Sequence, residues 1–239
     1  MIDTTFTDTF DAMLRARRST RDFVGEPLDD AEVEDFLDLV LTAPTAFNMQ
    51  ARSVVVVSDP GVRAEVHAAA RKQRQVLEAP LLLAFMAEPD GWEGTFDEIR
   101  DLNLASGYWD GTKAVERRER IGGFQAERRE AGLSREFAIR DAMIAASFAI
   151  LAAEARGWAA SPMTGFNDAG VKAALGAADS DAVVALLLAV GPAASRPASR
   201  RSAASTGTGT PSSRTTPPAR RPGGSPASRR VPRRRRRRR

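Results

Sequence analysis

The sequence predicts a mixed fold of the α/β or α+β class, a sheet lying between layers of helices. Three observations carry this. Strand-length β-branched or aliphatic runs recur within residues 1–195, segments with apolar residues at helical spacing separate them, and 239 residues suffice to bury a proper core. Taken in order, "TFDAMLRARR" has helical spacing. "LDDAEVEDFLDLVLTA" has it more strongly: Leu28, Val33, Phe36, Leu37, Val40 and Leu41 share a face, with acids in the first turn, where the helix dipole favours them. "SVVVVSD", closed by Asp59-Pro60-Gly61, and "PLLLAFMA" read as strands. The charged stretch "TKAVERRERIGGFQAERREAG" reads as helix broken at Gly122-Gly123. "EFAIRDAMIAASFAILAAEARG" carries Phe137, Ile144, Phe148 and Leu151 on one side and Ile139, Met143, Ala146 and Ile150 on another. A helix apolar on two sides belongs in the centre of a fold or in a subunit interface. "NDAGVKAALG" is a short capped helix and "AVVALLLAVG" a buried strand.

From Arg196 onward the pattern stops. That segment holds 15 of the 35 basic residues, while no Asp or Glu follows Asp181. Residues 1–195 therefore carry 20 basic against 31 acidic side chains, a net of about −11, although the whole chain is at +4. An acidic body repels a nucleic-acid backbone, which is bound through excess Lys and Arg. The tail has almost no apolar side chain and is expected to be disordered. The division expected is a folded domain over 1–201 and an Arg/Pro/Ser-rich tail over 202–239. That tail has the composition of GC-rich coding DNA read in a shifted frame, so a frameshifted terminus is one reading of it. A true tail that binds nucleic acid or acidic partners non-specifically is another. With no cysteine there is no disulfide or thiolate chemistry. The first residues lack the pattern of a signal peptide, and the longest apolar run is too short for a bilayer. The expectation is a cytoplasmic protein without a membrane span.

Side-chain chemistry is sparse. His67 is the one histidine, on a surface helix, and reads as structural; neither GxxxxGK[ST] nor GxGxxG occurs. Any enzyme built on this chain would depend on a cofactor. Three segments are candidates for holding one. "RARRSTRDF" offers paired guanidiniums and hydroxyls that suit a phosphate, or else a solvated helix end. "APTAFNMQ" is a turn between helix and strand that supplies amide and hydroxyl groups. "SPMTGF" follows the long helix, and its proline and glycine would let backbone groups approach a flat ligand.

In this order and spacing, the three segments resemble the FMN-dependent nitroreductase family, whose members carry an Arg-Arg/His-Ser-x-Arg/Lys element, an (A/S)PSxxNxQPW turn and a P(I/M)xGF strip. The resemblance runs from residue 10 to about 201. It implies an α+β homodimer with FMN at the subunit interface. The flavin would take a hydride from NADH or NADPH at N5 and reduce nitroaromatics, quinones or related acceptors. By position, Arg17, Arg18 and Ser19 match the phosphate and ribityl contacts. Arg21 matches the cation beside the pyrimidine edge, a tuning rather than a catalytic role, and no side chain is assigned as catalytic. Pro44, Thr45, Ala46 and Asn48 match the turn that reaches the flavin of the other subunit. Gln75 matches a side chain near the pyrimidine, and Pro162, Met163, Thr164 and Gly165 match the strip along the isoalloxazine. Arg200 or Arg201 matches a further phosphate contact, and no metal is implied.

Two departures stand out. Ala51 and Arg52 occupy places where the family has proline and an aromatic residue. After Arg201 the family's C-terminal arm does not follow. Two other functions therefore stay open: a basic-tailed nucleic-acid or acidic-partner binder, and a protein of this fold with impaired flavin binding.

Overall fold

The computed structural model describes residues 4–195. Expectations that fall on the tail, including Arg200 and Arg201, lie outside the described residues. Helices α1 (Thr4–Ala16) and α2 (Asp30–Leu41) come first, then strand β1 (Arg52–Val56), helices α3 (Pro60–Ala69) and α4 (Gln75–Glu78), and β2 (Leu81–Ala87). Helices α5 (Gly91–Ala105), α6 (Gly111–Glu130) and α7 (Ser134–Ala155) follow, then β3 (Ala159–Met163), α8 (Asp168–Ala174) and β4 (Val183–Gly191). The fold is α+β: the sheet order is β1-β2-β4-β3 and every pairing is antiparallel.

All seven residues of β2 are buried, which explains a strand that reads as continuous rather than alternating apolar sequence. Leu81, Leu83 and Phe85 face α2 and α7 together with Phe36, Val40 and Trp158. Leu82, Ala84 and Met86 face the opposite layer with Val66, Ala70 and Val171 from α3 and α8. Opposite β2 the register slips between Phe85, paired with Leu186, and Met86, paired with Val184. Ala185 is the extra residue, so β4 exchanges its faces there: Leu186 joins the α7 layer whereas Val184 joins the α3/α8 layer.

The capped starts of the helices are legible in sequence. Asp29 accepts from Ala31 and Glu32 at the head of α2, Asp59 from Val62 ahead of Pro60 in α3, and Asn167 from Gly170 in α8. One expectation needs correction. Helix α6 runs unbroken through Gly122-Gly123. Ile121 is buried and Phe124 is held edge-on between Phe47 and Phe137, at 5.2 and 5.0 Å. These anchors outweigh the roughly 1 kcal/mol that each helical glycine costs. Helix α7 packs on the sheet mostly through alanines, and Ala142, Ala145, Ala146, Ala149 and Ala153 let it lie close. The side carrying Ile144 and Phe148 stays 38% and 37% exposed. Finally, "AASPM" is a strand, which its alanine, serine and proline conceal; Pro162 is tolerated because β3 is an edge. Among the described residues no helix is long and apolar enough to cross a membrane.

Glycine is required at the end of β4. Gly191 has φ 154°, and a Cβ there would sit 2.3 Å from Cγ and 2.6 Å from Cδ of Pro80. Gly191→Ala is therefore expected to lose about 2–3 kcal/mol in urea unfolding, as overpacking does. Gly94, helical and open to solvent, is the contrasting site. Gly94→Ala should gain up to about 1 kcal/mol.

Candidate functional site

The chain leaves α1 at Arg17 and turns at once along the sheet. Ser19 forms a parallel bridge with Ala160, and Phe23 an antiparallel one with Ala193. The arginine cluster is thereby laid beside the strand that leads into Pro162, Met163, Thr164 and Gly165. Arg18 folds back, Nη1 donating to the carbonyls of Arg15 (2.8 Å) and Arg17 (2.7 Å), so it caps the end of α1. Its Nε, like Nη1 of Arg17, is buried with no hydrogen-bond partner among the described residues. Arg21 and Ser19 are exposed.

The loop before α4 closes a third side. Arg74 pairs with Asp22, and Gln73 donates to the carbonyl of Gly165 at 3.4 Å. Gln75, the glutamine favoured by sequence, is only 3% exposed and donates to Gln73 at 3.3 Å, so it braces the residue that reaches the strip. A Cβ on Gly165 would meet nothing within 4 Å, which leaves the space over the strip open. Segments 17–22, 73–75 and 160–165 thus meet at the β3 edge, and they carry Arg17, Arg18, Arg21 and Arg74 against Asp22. His67 lies half-buried in the last turn of α3.

The fourth segment stands apart. Pro44, Thr45, Ala46 and Asn48 form a turn packed on α5, α6 and α7, and among the described residues no hydrogen bond, ion pair or ring contact joins it to those three segments. Phe47, Asn48 and Gln50 have φ of 54°, 61° and 50°, a left-handed run without glycine that only its surroundings can hold. Those surroundings are specific. Asp141 on α7 accepts from Ala46 N–H at 3.1 Å, Thr45 Oγ1 accepts from Gln50 N–H at 2.9 Å, and Thr95 Oγ1 donates to Met49 O. Arg52, 7% exposed, sends Nη2 to the carbonyls of Leu41 (3.2 Å) and Ala43 (2.8 Å), just before the turn. Burial lowers its guanidinium pKa, opposed by the charge of Asp141. Burial likewise raises the Asp141 carboxyl, opposed first by the Ala46 N–H and then by Arg52. The aromatic residue's replacement by Arg52 is thus a change of chemistry: a buried fork ties carbonyls where a ring would only fill space.

A model of the nitroreductase family matches residues 14–192. The chain belongs to the nitroreductase family. Among its relatives, a protein named NADH dehydrogenase from Thermus thermophilus is 30% identical over 171 residues, covering 72% of this chain and 80% of that one. The solved structure of ydfN from Bacillus subtilis superposes with a TM-score of 0.73 at 26% identity, covering 82% of this chain and 95% of that one. An Exiguobacterium sibiricum protein solved in complex with FMN superposes at 0.67 and 22% identity, covering 80% and 92%. These likenesses extend over the sheet and both helical layers of this family member.

Sequence reasoning missed Gln73, Arg74 and the Arg52–Asp141 pair. Arg52 had a signal, a cation in a place that is aromatic elsewhere in the family. Asp141 had a weaker one, an acid within the most apolar helix.

The raised Asp141 carboxyl sets a pH dependence. The unfolded chain loses this proton near the ordinary carboxyl value of 3.8 and the folded chain only at higher pH, so ionisation costs stability as pH rises through that window. Asp141→Asn, which keeps an acceptor for Ala46 N–H, is expected to gain on the unsubstituted protein as pH goes from about 4 to 7. Urea midpoints at both pH values measure this; a difference independent of pH would contradict it. Arg52→Ala should cost about 2–3 kcal/mol, because two carbonyl partners lose their donor and Asp141 its nearby cation.

Proposed function

We propose that the chain is an FMN-dependent oxidoreductase that draws electrons from NADH or NADPH and delivers them to nitroaromatic, quinone or related acceptors. One observation carries the proposal: three segments distant in sequence meet through Ser19–Ala160, Asp22–Arg74 and Gln73–Gly165, and the first of them holds two buried, unpartnered guanidinium nitrogens, on Arg17 and Arg18. A buried donor without an acceptor costs about 1–3 kcal/mol, and a phosphate monoester at that place would remove the cost. The open face over Gly165 fits a flat ring, since a side chain there would fill it. The residues present therefore fit FMN, which when bound supplies two-electron hydride chemistry.

In this reading Arg17 and Arg18 hold the phosphate, and Ser19, exposed beside them, the ribityl chain. The strip Pro162–Gly165, braced by Gln73 and Gln75, lies along the ring system and orients it. Arg21 places a mobile positive charge where reduction leaves negative charge, so its interaction strengthens as electrons arrive. No side chain need act as acid or base. A cytoplasmic setting belongs to the same proposal, because the donor is a reduced pyridine nucleotide.

A second copy completes the site. The 44–48 turn makes its hydrogen bonds and ring contacts with α5, α6 and α7 rather than with its own chain's arginine segment, which suits a group presented to the flavin of a partner. Two surfaces support a dimer. Helix α1 buries none of its residues, although Phe6, Phe10 and Leu14 recur on it. Phe10, Met13, Leu39, Phe148 and Leu151 line an apolar groove between α1, α2 and α7. Surfaces of this kind mark association sites.

The purified full chain is expected to show the visible absorbance of oxidised flavin, with about one FMN per chain released on denaturation; colourless protein that added FMN does not restore would end the proposal. Arg17→Ala should weaken FMN retention roughly tenfold or more. Arg21→Ala should instead slow reduction by NAD(P)H, roughly ten- to a hundredfold. Titration beside stopped-flow reduction separates the two roles, and matching profiles would refute them. Phe148→Glu should shift sedimentation toward monomer and lower flavin content together.

A further inference from the structure

Beside the 44–48 turn lies a hollow of about 260 Å³, walled by Phe47, Tyr108 and Trp109, floored by Ile99 and Ile121, and edged by Asn48, Asn103 and Arg117. An apolar cavity of about 150 Å³ takes up a benzene molecule, so this one has room for a single substituted ring. No acid lines it, although acids outnumber bases in residues 1–195.

Its cation is idle. Most arginines of α5 and α6 that approach other groups are committed: Arg100 to Asp97 and Asp101, Arg118 to Asp97, Arg129 to Asp90, and Arg128 over the Phe124 ring. Half-buried Arg117 has no hydrogen bond, ion pair or ring contact among the described residues. Its neighbours one helical turn away, Lys113, Ala114, Arg120 and Ile121, include no acid to pair with it. Lys113 stands 4.6 Å from the Tyr108 ring centroid and adds positive charge at the same rim. The amides are partly spent: Asn103 Nδ2 donates to Ile99 O at 2.6 Å, and Asn48 Oδ1 accepts from Gln50 at 2.7 Å. The NH₂ of Asn48 is left to donate.

We propose that this hollow takes the electron acceptor and selects a single-ring aromatic acid, its carboxylate held by Arg117 and its ring set among Phe47, Tyr108 and Trp109. The inference rests on the oxidoreductase reading, with the left-handed turn at Phe47-Asn48 bringing the hollow to the flavin of the second copy. A guanidinium fork matches a carboxylate, and the buried Trp109, Ile99 and Ile121 limit the water that competes for it on one side. Arg117 is then a specificity residue rather than a catalytic one.

The test uses the full-length, FMN-loaded protein with 4-nitrobenzoate and 4-nitrobenzamide, a charged and a neutral acceptor of nearly the same shape. The charged one is expected to have the higher kcat/KM. Arg117→Gln should cut the ratio between the two roughly tenfold or more, mainly through KM, while Arg117→Lys keeps part of it and Arg120→Gln all of it. A readout independent of turnover is tryptophan fluorescence, which benzoate should perturb at lower concentration than benzamide, a difference lost in Arg117→Gln. Equal ratios in the unsubstituted protein and Arg117→Gln, with menadione still reduced, would overturn this inference and leave the oxidoreductase reading standing. A rise in KM for NADPH but not NADH in Arg117→Gln would overturn it too, by assigning Arg117 to the donor's phosphate. Protein that neither holds FMN nor oxidises NAD(P)H would fail both readings.

Discussion

The antiparallel pair of β2 and β4 is the constraint from which the rest follows. Both strands are apolar on both faces, so neither face can be left to water, and each must be covered by helices. Helices α2 and α7 cover one, α3 and α8 the other. Once these layers are fixed, the edges are all that remain for function. The three candidate segments meet at the β3 edge, where a short strand containing proline lets the arginine segment run alongside. The clamped turn forms at the other, where β1 begins at Arg52. The bulge at Ala185 reconciles two sides of unequal demand by letting one strand serve both layers at different points along its length.

Much of this was legible in the sequence because burial and periodicity report it directly. The unbroken apolar run of β2, the capped starts at Asp29, Asp59 and Asn167, and the stripe on α2 each correspond to an element. What was hidden depended on tertiary packing. β3 has little strand propensity of its own and exists because β4 offers it a ladder. Gly122-Gly123 signals a break locally, yet Ile121 and Phe124 are held by residues far away in sequence. The buried face of α7 could not be ranked against its other face, since alanines score weakly although their small size brings helix and sheet together.

The site shows the same division. Residues that announce themselves by charge, Arg17, Arg18 and Arg21, were nominated from sequence, as was the glycine of the strip. Residues that act by bracing others were not. Gln73 and Gln75 are two positions apart and chemically identical, and only the chain's path decides which reaches Gly165 and which supports it. Arg52 and Asp141 are 89 positions apart in sequence. Their joint hold on a turn that needs three left-handed residues is a property of the assembled layers.

The weak anchoring of α1 has a thermodynamic corollary. The helix leads directly into Arg17 and Arg18 beside the β3 edge, yet buries nothing of its own. In a chain on its own, ordering this helix must be met largely by short-range helix terms, which are marginal for thirteen residues. A second copy that covers α1 would settle that helix and its two guanidiniums at once. Linkage then makes ligand affinity and subunit affinity two views of one equilibrium. Dilution would release bound anion, and saturating anion would tighten the assembly, by the same factor in each direction. Occupancy in such a protein is set by its own concentration as much as by that of the cofactor.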